Sequence, residues 1–285
     1  MKLFRLLVLV VTVSACSSST DSPTGPSPTG PIHYTAIGAS DGVGVGSSAP
    51  CLPFTDCPEG AGYVQILRRD LMATGRQFQF SNRSLPGAVL SKAVEDLARD
   101  LGRPIDSLVG NFIERQAPFV PQDTTHVTIF AGGNDTNVIS QGARDRGGNN
   151  PNGFADAQVQ QWGTDLNELV SRIRARAPNA RIVALNLPNL GGAPYVASRA
   201  AADRSLIQRV AVGITDRINA LTAQGVLVVD LMCDARLYQP SSYASDGFHP
   251  NDQGYRIFAE LTLPVLRDGV SNAPNGNCAQ RRLAP

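Results

Sequence analysis

Two rhythms of apolar and polar positions alternate along the chain after residue 31. Short, nearly unbroken apolar runs rich in β-branched and aromatic residues fall at His33–Gly38, Gln77–Asn82, His126–Gly132, Arg181–Leu187 and Val226–Leu231. Such runs read as strands covered on both faces. Between them, apolar residues three and four apart predict helices over Gly62–Ala73, Ala88–Asp100, Asp106–Arg115, Asp156–Arg176, Arg199–Ala223 and Asp252–Leu266. Strands alternating with helices predict an α/β domain, a three-layer α/β/α sandwich around a five-stranded parallel sheet. Ligands of such a sheet bind outside the carboxyl ends of its strands. A residue just after a strand therefore faces the site, and one just before a strand does not. The Gly/Asn-rich stretch Ser140–Gly153 reads as a long loop on the same face.

The first thirty residues follow neither rhythm. Lys2 and Arg5 precede an apolar stretch, Leu3 to Val13, that is too short to cross a bilayer. It ends in Val13-Ser14-Ala15-Cys16, which resembles a bacterial lipobox, where the cysteine thiol is lipidated and cleavage falls before it. The expectation is a lipoprotein signal peptide over residues 1–15, a Ser/Thr/Pro/Gly-rich tether over 16–31, and a folded domain over 32–285. This implies export and a lipid anchor at Cys16 in the bacterial cell envelope, the only expected contact with membrane.

Composition narrows the field. With 42% hydrophobic and 17% charged residues, the chain has the make-up of a globular protein. The 25 basic and 24 acidic side chains nearly cancel, and no basic stripe points to nucleic acid. No cysteine/histidine spacing resembles a zinc site, and no ligand spacing supports a calcium site near Asn134–Asn152, so no metal and no cofactor are expected. Setting Cys16 aside leaves four cysteines, and the expected pairs are Cys51–Cys57 and Cys233–Cys278.

Candidate chemistry is read from the strand ends. His33 and His126 each open a strand, at the wrong end of the sheet. His249 follows the last strand, in Ser245-Asp246-Gly247-Phe248-His249-Pro250-Asn251. Asp246 is placed to accept a hydrogen bond from its Nδ1–H and turn Nε2 toward a hydroxyl. Ser40 follows the first strand in Gly38-Ala39-Ser40-Asp41-Gly42. A serine is a weak nucleophile until a base takes its proton. Gly87 follows the second strand and is expected to open a helix. Asn134, in Gly132-Gly133-Asn134-Asp135, follows the third. The Ser40 N–H, the Gly87 N–H and the Asn134 amide form a possible donor set for an oxyanion.

These four blocks, Gly38-Ala39-Ser40, Asn82 to Ala88, Gly132 to Asp135 and Asp246 to Asn251, resemble those of the SGNH hydrolases, also called GDSL esterases or lipases. The resemblance runs from about Tyr34 to Leu266. It implies a flavodoxin-like sheet and a carboxylic ester hydrolase with Ser40 as nucleophile, His249 as base, Asp246 as its orienting acid, and Ser40, Gly87 and Asn134 as oxyanion donors. It leaves the ester open among lipid, short-acyl and acetylated-carbohydrate esters. Ala39 stands where the family has Asp, which puts the hydrogen bonding of the nucleophile turn in question. Two alternatives remain at this point. Gly38 to Gly42 also fits the G-x-S-x-G elbow of the α/β-hydrolases. A non-catalytic surface adhesin or glycan-binding module would share the fold. A nominal dinucleotide pattern at Gly44 to Ala49 is followed by Pro50 rather than a helix.

Overall fold

Five short strands carry the architecture: β1 (Ile32–Ile37), β2 (Phe78–Asn82), β3 (His126–Phe130), β4 (Arg181–Leu185) and β5 (Leu227–Val229). In this computed structural model, which describes residues 25–106 and 109–284, they pair in parallel in the order β2-β1-β3-β4-β5. The leader, Cys16 and the tether up to residue 24 lie outside the described residues. β3 sits at the centre of the sheet and every one of its residues is buried. That is why its sequence is apolar throughout rather than alternating. The register runs Ala36↔Thr128↔Val183↔Leu227 across four strands. The chain crosses to β2 on one side of β1 and then returns to β3 on the other. The strand order therefore reverses between β1 and β3, which opens a crevice at their carboxyl ends.

Helices α1 (Tyr63–Met72) and α7 (Asp252–Asp268) pack together on one face. Tyr63 of α1 meets Phe130 of β3 and Tyr255 and Phe258 of α7 in one aromatic cluster, with ring centroids 5.9 to 6.4 Å from Tyr63. Helices α4 (Gly133–Arg146), α5 (Pro151–Arg176) and α6 (Ala201–Ala220) pack on one another over the opposite face, with α2 (Lys92–Asp100) beside α4 and the single turn α3 (Phe112–Arg115) beside α5. Trp162 of α5 is the largest fully buried side chain there.

Each strand lies within one residue of its apolar run, and four of the six expected helices keep their place. Three expectations are corrected. Ser140–Gly153 is not a loop: α4 and α5 occupy most of it, and only Gly147 to Asn150 connect them. α4 buries two larger apolar side chains, the adjacent Val138 and Ile139, and otherwise packs through Thr136, Ser140, Gly142 and Ala143, small residues that leave no long apolar stripe in the sequence. The helix expected over Ala88–Asp100 begins only at Lys92, after a tight turn at Pro86-Gly87. Among the described residues of Asp106–Arg115, only Phe112–Arg115 are helical, capped by the Asn111 side chain, which accepts from the Glu114 N–H at 2.9 Å.

Both expected disulfides are formed. Cys51 and Cys57 close a short loop, and Cys233 and Cys278 fasten the C-terminal segment beyond α7. Two disulfides fit a protein exported to an oxidising compartment. Among the described residues, no helix is long and apolar enough to cross a membrane.

Candidate active site

β1 delivers the candidate serine. After Ile37 the chain turns through Gly38 and Ala39 into a 3-10 turn, Ser40–Val43, that leaves Ser40 almost wholly buried. Three side chains hold this turn. Gln116 accepts from the Gly38 N–H at 3.0 Å and donates to the Gly38 carbonyl at 2.9 Å. Asn82, at the end of β2, donates to the Gly42 carbonyl at 2.7 Å. Tyr255 of α7 donates to the Val45 carbonyl at 2.6 Å. The hydrogen bonding put in question by Ala39 is thus supplied from three other elements. Gly42 must lack a side chain, because an added Cβ there would lie 2.0 Å from the Ser84 hydroxyl.

His249 approaches from the loop before α7. Its Nε2 lies 2.9 Å from the Ser40 hydroxyl. Its Nδ1 lies 2.6 Å from one Asp246 oxygen, while the other accepts the Phe248 and His249 N–H groups, each at 2.9 Å. Partial burial disfavours the charged Asp246 carboxyl, but these hydrogen bonds hold it below the usual carboxylate range. With Asp246 ionised, Nδ1 carries the proton and Nε2 is left to accept from Ser40. Gly247 reverses the loop at φ +66, where an added Cβ would meet the Tyr195 nitrogen at 2.8 Å. Asn251 then caps α7 through the Gln253 and Gly254 N–H groups.

Gly87 does not open a helix. It is the third residue of a turn closed by the Ala88 N–H on the Leu85 carbonyl at 3.0 Å, with φ +85. Proline second and a left-handed glycine third is the type II signature. The space around Gly87 is open. Among the described residues, neither the Ser40 N–H nor the Gly87 N–H has an acceptor. Asn134 lies in the first turn of α4, and its amide donates to the Ala88 carbonyl at 2.9 Å, beside Gly87. That leaves one amide N–H of Asn134 uncommitted.

The four strand ends lock together. Next to Asn134, Asp135 accepts the Leu90 N–H at 2.8 Å and the Trp162 indole N–H at 3.0 Å through one oxygen. Its other oxygen is buried without a partner, and burial outweighs these bonds, raising the carboxyl to about 6. Phe248 stacks edge-on against both His249 and Tyr195, with centroids 5.0 Å apart in each case. Beside Phe248 and Pro250 lies an apolar cavity of about 30 Å³, walled also by Phe130, Leu187, Leu237 and Phe258. Asp41 borders it. Burial raises its carboxyl against the pull of His249.

Sequence reasoning missed Gln116, Asp135's anchoring role and Asp41. Gln116 had no local signal, since it sits in an irregular turn 78 residues from its partner. Asp41 stood beside Ser40 and was legible only as part of a turn. His33 and His126 lie at the amino ends of β1 and β3, away from the cleft, and burial followed by the neighbouring Arg181 lowers His126 to about 3.

Strand order separates the rival folds. An α/β-hydrolase elbow follows several strands, whereas Ser40 follows β1, the first strand among the described residues. The structure resembles a lipase from a goat rumen metagenome, at 17% identity, covering 86% of this chain and 100% of that one, with a TM-score of 0.56. It also resembles an extracellular lipase from Streptomyces rimosus, at 22% identity, 84% and 100% coverage and a TM-score of 0.53. A variant of an acetyl xylan esterase from Geobacillus stearothermophilus shares 17% identity, with 87% and 100% coverage and a TM-score of 0.51. At these identities the likeness is one of fold. No curated protein matches the sequence. Residues 36–257, which span all four strand-end blocks, match the GDSL-like lipase/acylhydrolase family. The chain belongs to that family and is an ester hydrolase.

Proposed function

We propose that this ester hydrolase works by a two-step acyl transfer on Ser40. The Ser40 hydroxyl attacks the ester carbonyl while His249 Nε2 takes its proton. Asp246 holds the imidazole and stabilises its charged form. The Ser40 N–H, the Gly87 N–H and the Asn134 amide receive the oxyanion. His249 then protonates the departing alcohol. Water enters, gives its proton to the same nitrogen and releases the acid from Ser40.

The observation that carries this reading is the line from Asp246 through His249 to Ser40, at 2.6 and 2.9 Å. The two free backbone N–H groups beside it support the oxyanion assignment. A non-catalytic binding module has no need of a serine aligned on an imidazole. The test is labelling by a fluorophosphonate together with turnover of p-nitrophenyl acetate. Both should be lost in Ser40→Ala. Turnover within a few-fold of the parent would end the reading.

We further propose that the protein is exported and held to the cell envelope by lipid on Cys16. The support is Val13-Ser14-Ala15-Cys16 after a short apolar leader, and the tether that follows. Fractionation of cells carrying Cys16→Ser checks it: the protein should leave the membrane fraction.

A further inference from the structure

A second cavity, of about 210 Å³, meets the apolar one at Phe248, the one side chain that walls both and whose ring packs against that of His249. Its character is opposite. Arg103, Arg144 and Arg199 stand around its mouth, contributed by three separate segments: the turn after α2, the body of α4 and the approach to α6. Asn137, Ser140 and Tyr195 line it more deeply.

The balance of charge in this cavity is positive. Arg144 leans on Asp145 at 3.2 Å and on Asp203 at 3.7 Å. Arg103 donates only to the neutral Gln141, at 2.8 Å. Arg199 lies over the Tyr195 ring, 5.5 Å from its centroid. No ion pair joins Arg103 or Arg199 to an acidic side chain among the described residues. An independent sign comes from Ser140. It lines the cavity, only 2% of its surface is exposed, and its buried hydroxyl has no hydrogen-bond partner. A buried hydroxyl without a partner is costly unless something else satisfies it. The Tyr195 hydroxyl, by contrast, is spent on the Asn137 carbonyl oxygen at 2.9 Å, which aligns the Asn137 amide. Asn137 lies one helical turn beyond Asn134, on the same side of α4.

We infer that this cavity binds a negatively charged group of the ester substrate, a phosphate or a carboxylate, while the reacting carbonyl lies at Ser40. The inference rests on the reading of Ser40 as nucleophile and narrows it. The substrate class becomes esters that carry an anion a few bonds from the scissile group. Guanidinium groups suit this task because they pair with carboxylate and phosphate oxygens in a planar, two-pronged way. Phe248 separates the two environments: an apolar substituent is placed on one side of its ring and a charged one on the other.

The test compares matched esters on the intact mature protein. One pair is 4-acetoxybenzoate against its methyl ester, which differ by the carboxylate. The other is dibutanoyl phosphatidic acid against dibutanoylglycerol, which differ by the phosphate. The parent should favour the charged member of at least one pair, and which pair it is identifies the anion. The preference should shrink as salt is added, because the rim arginines are exposed. In the Arg103→Gln/Arg199→Gln double variant, the ratio of kcat/KM between charged and neutral esters should fall about tenfold or more. Arg199→Glu should lower it further, and both proteins should keep the parent's near-ultraviolet circular dichroism. A parent without preference in either pair, or a ratio unmoved by these substitutions, overturns the inference while neutral-ester turnover leaves the Ser40 reading intact. Absence of turnover on every ester would instead strike at that reading.

Discussion

Gln116 grips both backbone polar atoms of a single residue, accepting from the Gly38 N–H and donating to the Gly38 carbonyl, two residues before Ser40. All of these groups are buried. The side chain acts as one more rung of β-ladder where β1 has run out of a strand partner. Gln116→Leu would keep the volume and leave the Gly38 N–H unpaired, while the Gly38 carbonyl keeps the Leu85 N–H at 3.2 Å. Stability should fall by about 1–3 kcal/mol, read from urea denaturation. Gln116→Glu keeps the acceptor and loses the donor, so it should fall between. kcat should drop with KM nearly unchanged, since the contact positions the nucleophile.

Asp246→Asn removes the acceptor that fixes the imidazole. The wrong tautomer then faces Ser40, and kcat should fall about 10⁴-fold. Asn134→Ala should cost a hundred- to a thousandfold in kcat, while fluorophosphonate labelling of Ser40 continues at a reduced rate. Steady-state kinetics on p-nitrophenyl acetate read both.

Asp135 makes a pH prediction. Its carboxyl is raised to about 6 in the folded chain, from an ordinary 3.8. The folded state therefore keeps a proton that the unfolded chain has lost. Its contribution to stability is full below about 4 and disappears as pH rises to about 6, a change of about 3 kcal/mol. Asp135→Asn should abolish that slope and give the partnerless buried oxygen position a donor group instead. Urea midpoints for the two proteins should converge near pH 4 and separate above pH 6, with the variant higher. Parallel curves across that range would contradict the assignment.

The two disulfides should differ in weight. By loop-closure entropy, opening Cys233–Cys278, whose partners are 45 positions apart, should cost about 4 kcal/mol, and opening Cys51–Cys57, 6 positions apart, about 2. Paired Cys→Ser variants, compared by thermal and urea unfolding, measure the difference.

What could be read beforehand follows from where the information lies. The strands were legible because burial on both faces forces an unbroken apolar run, as at Val127 and Ile129. The line of Ser40, His249 and Asp246 was legible because Ser40 stands just past β1 and the other two lie three residues apart in the loop before the last helix. α4 was hidden because, Val138 and Ile139 aside, it packs through Thr136, Ser140, Gly142 and Ala143, whose smallness lets helices approach closely but leaves no long stripe. Pro86-Gly87 fits a helix start as well as a type II turn, and the positive φ of Gly87 distinguishes the two. Gln116 and the three arginines of the charged cavity could not be found in sequence, since nothing local marks residues that meet only when distant segments fold together.

The bonds from Tyr255 to Val45, and from the Ser48 N–H and hydroxyl to the two oxygens of Asp252 at 2.7 and 2.6 Å, tie the start of α7 to the segment just past the nucleophile. They anchor the helix that follows the His249 loop to the segment that follows Ser40, so a shift of α7 carries both sides of the Ser40–His249 contact with it.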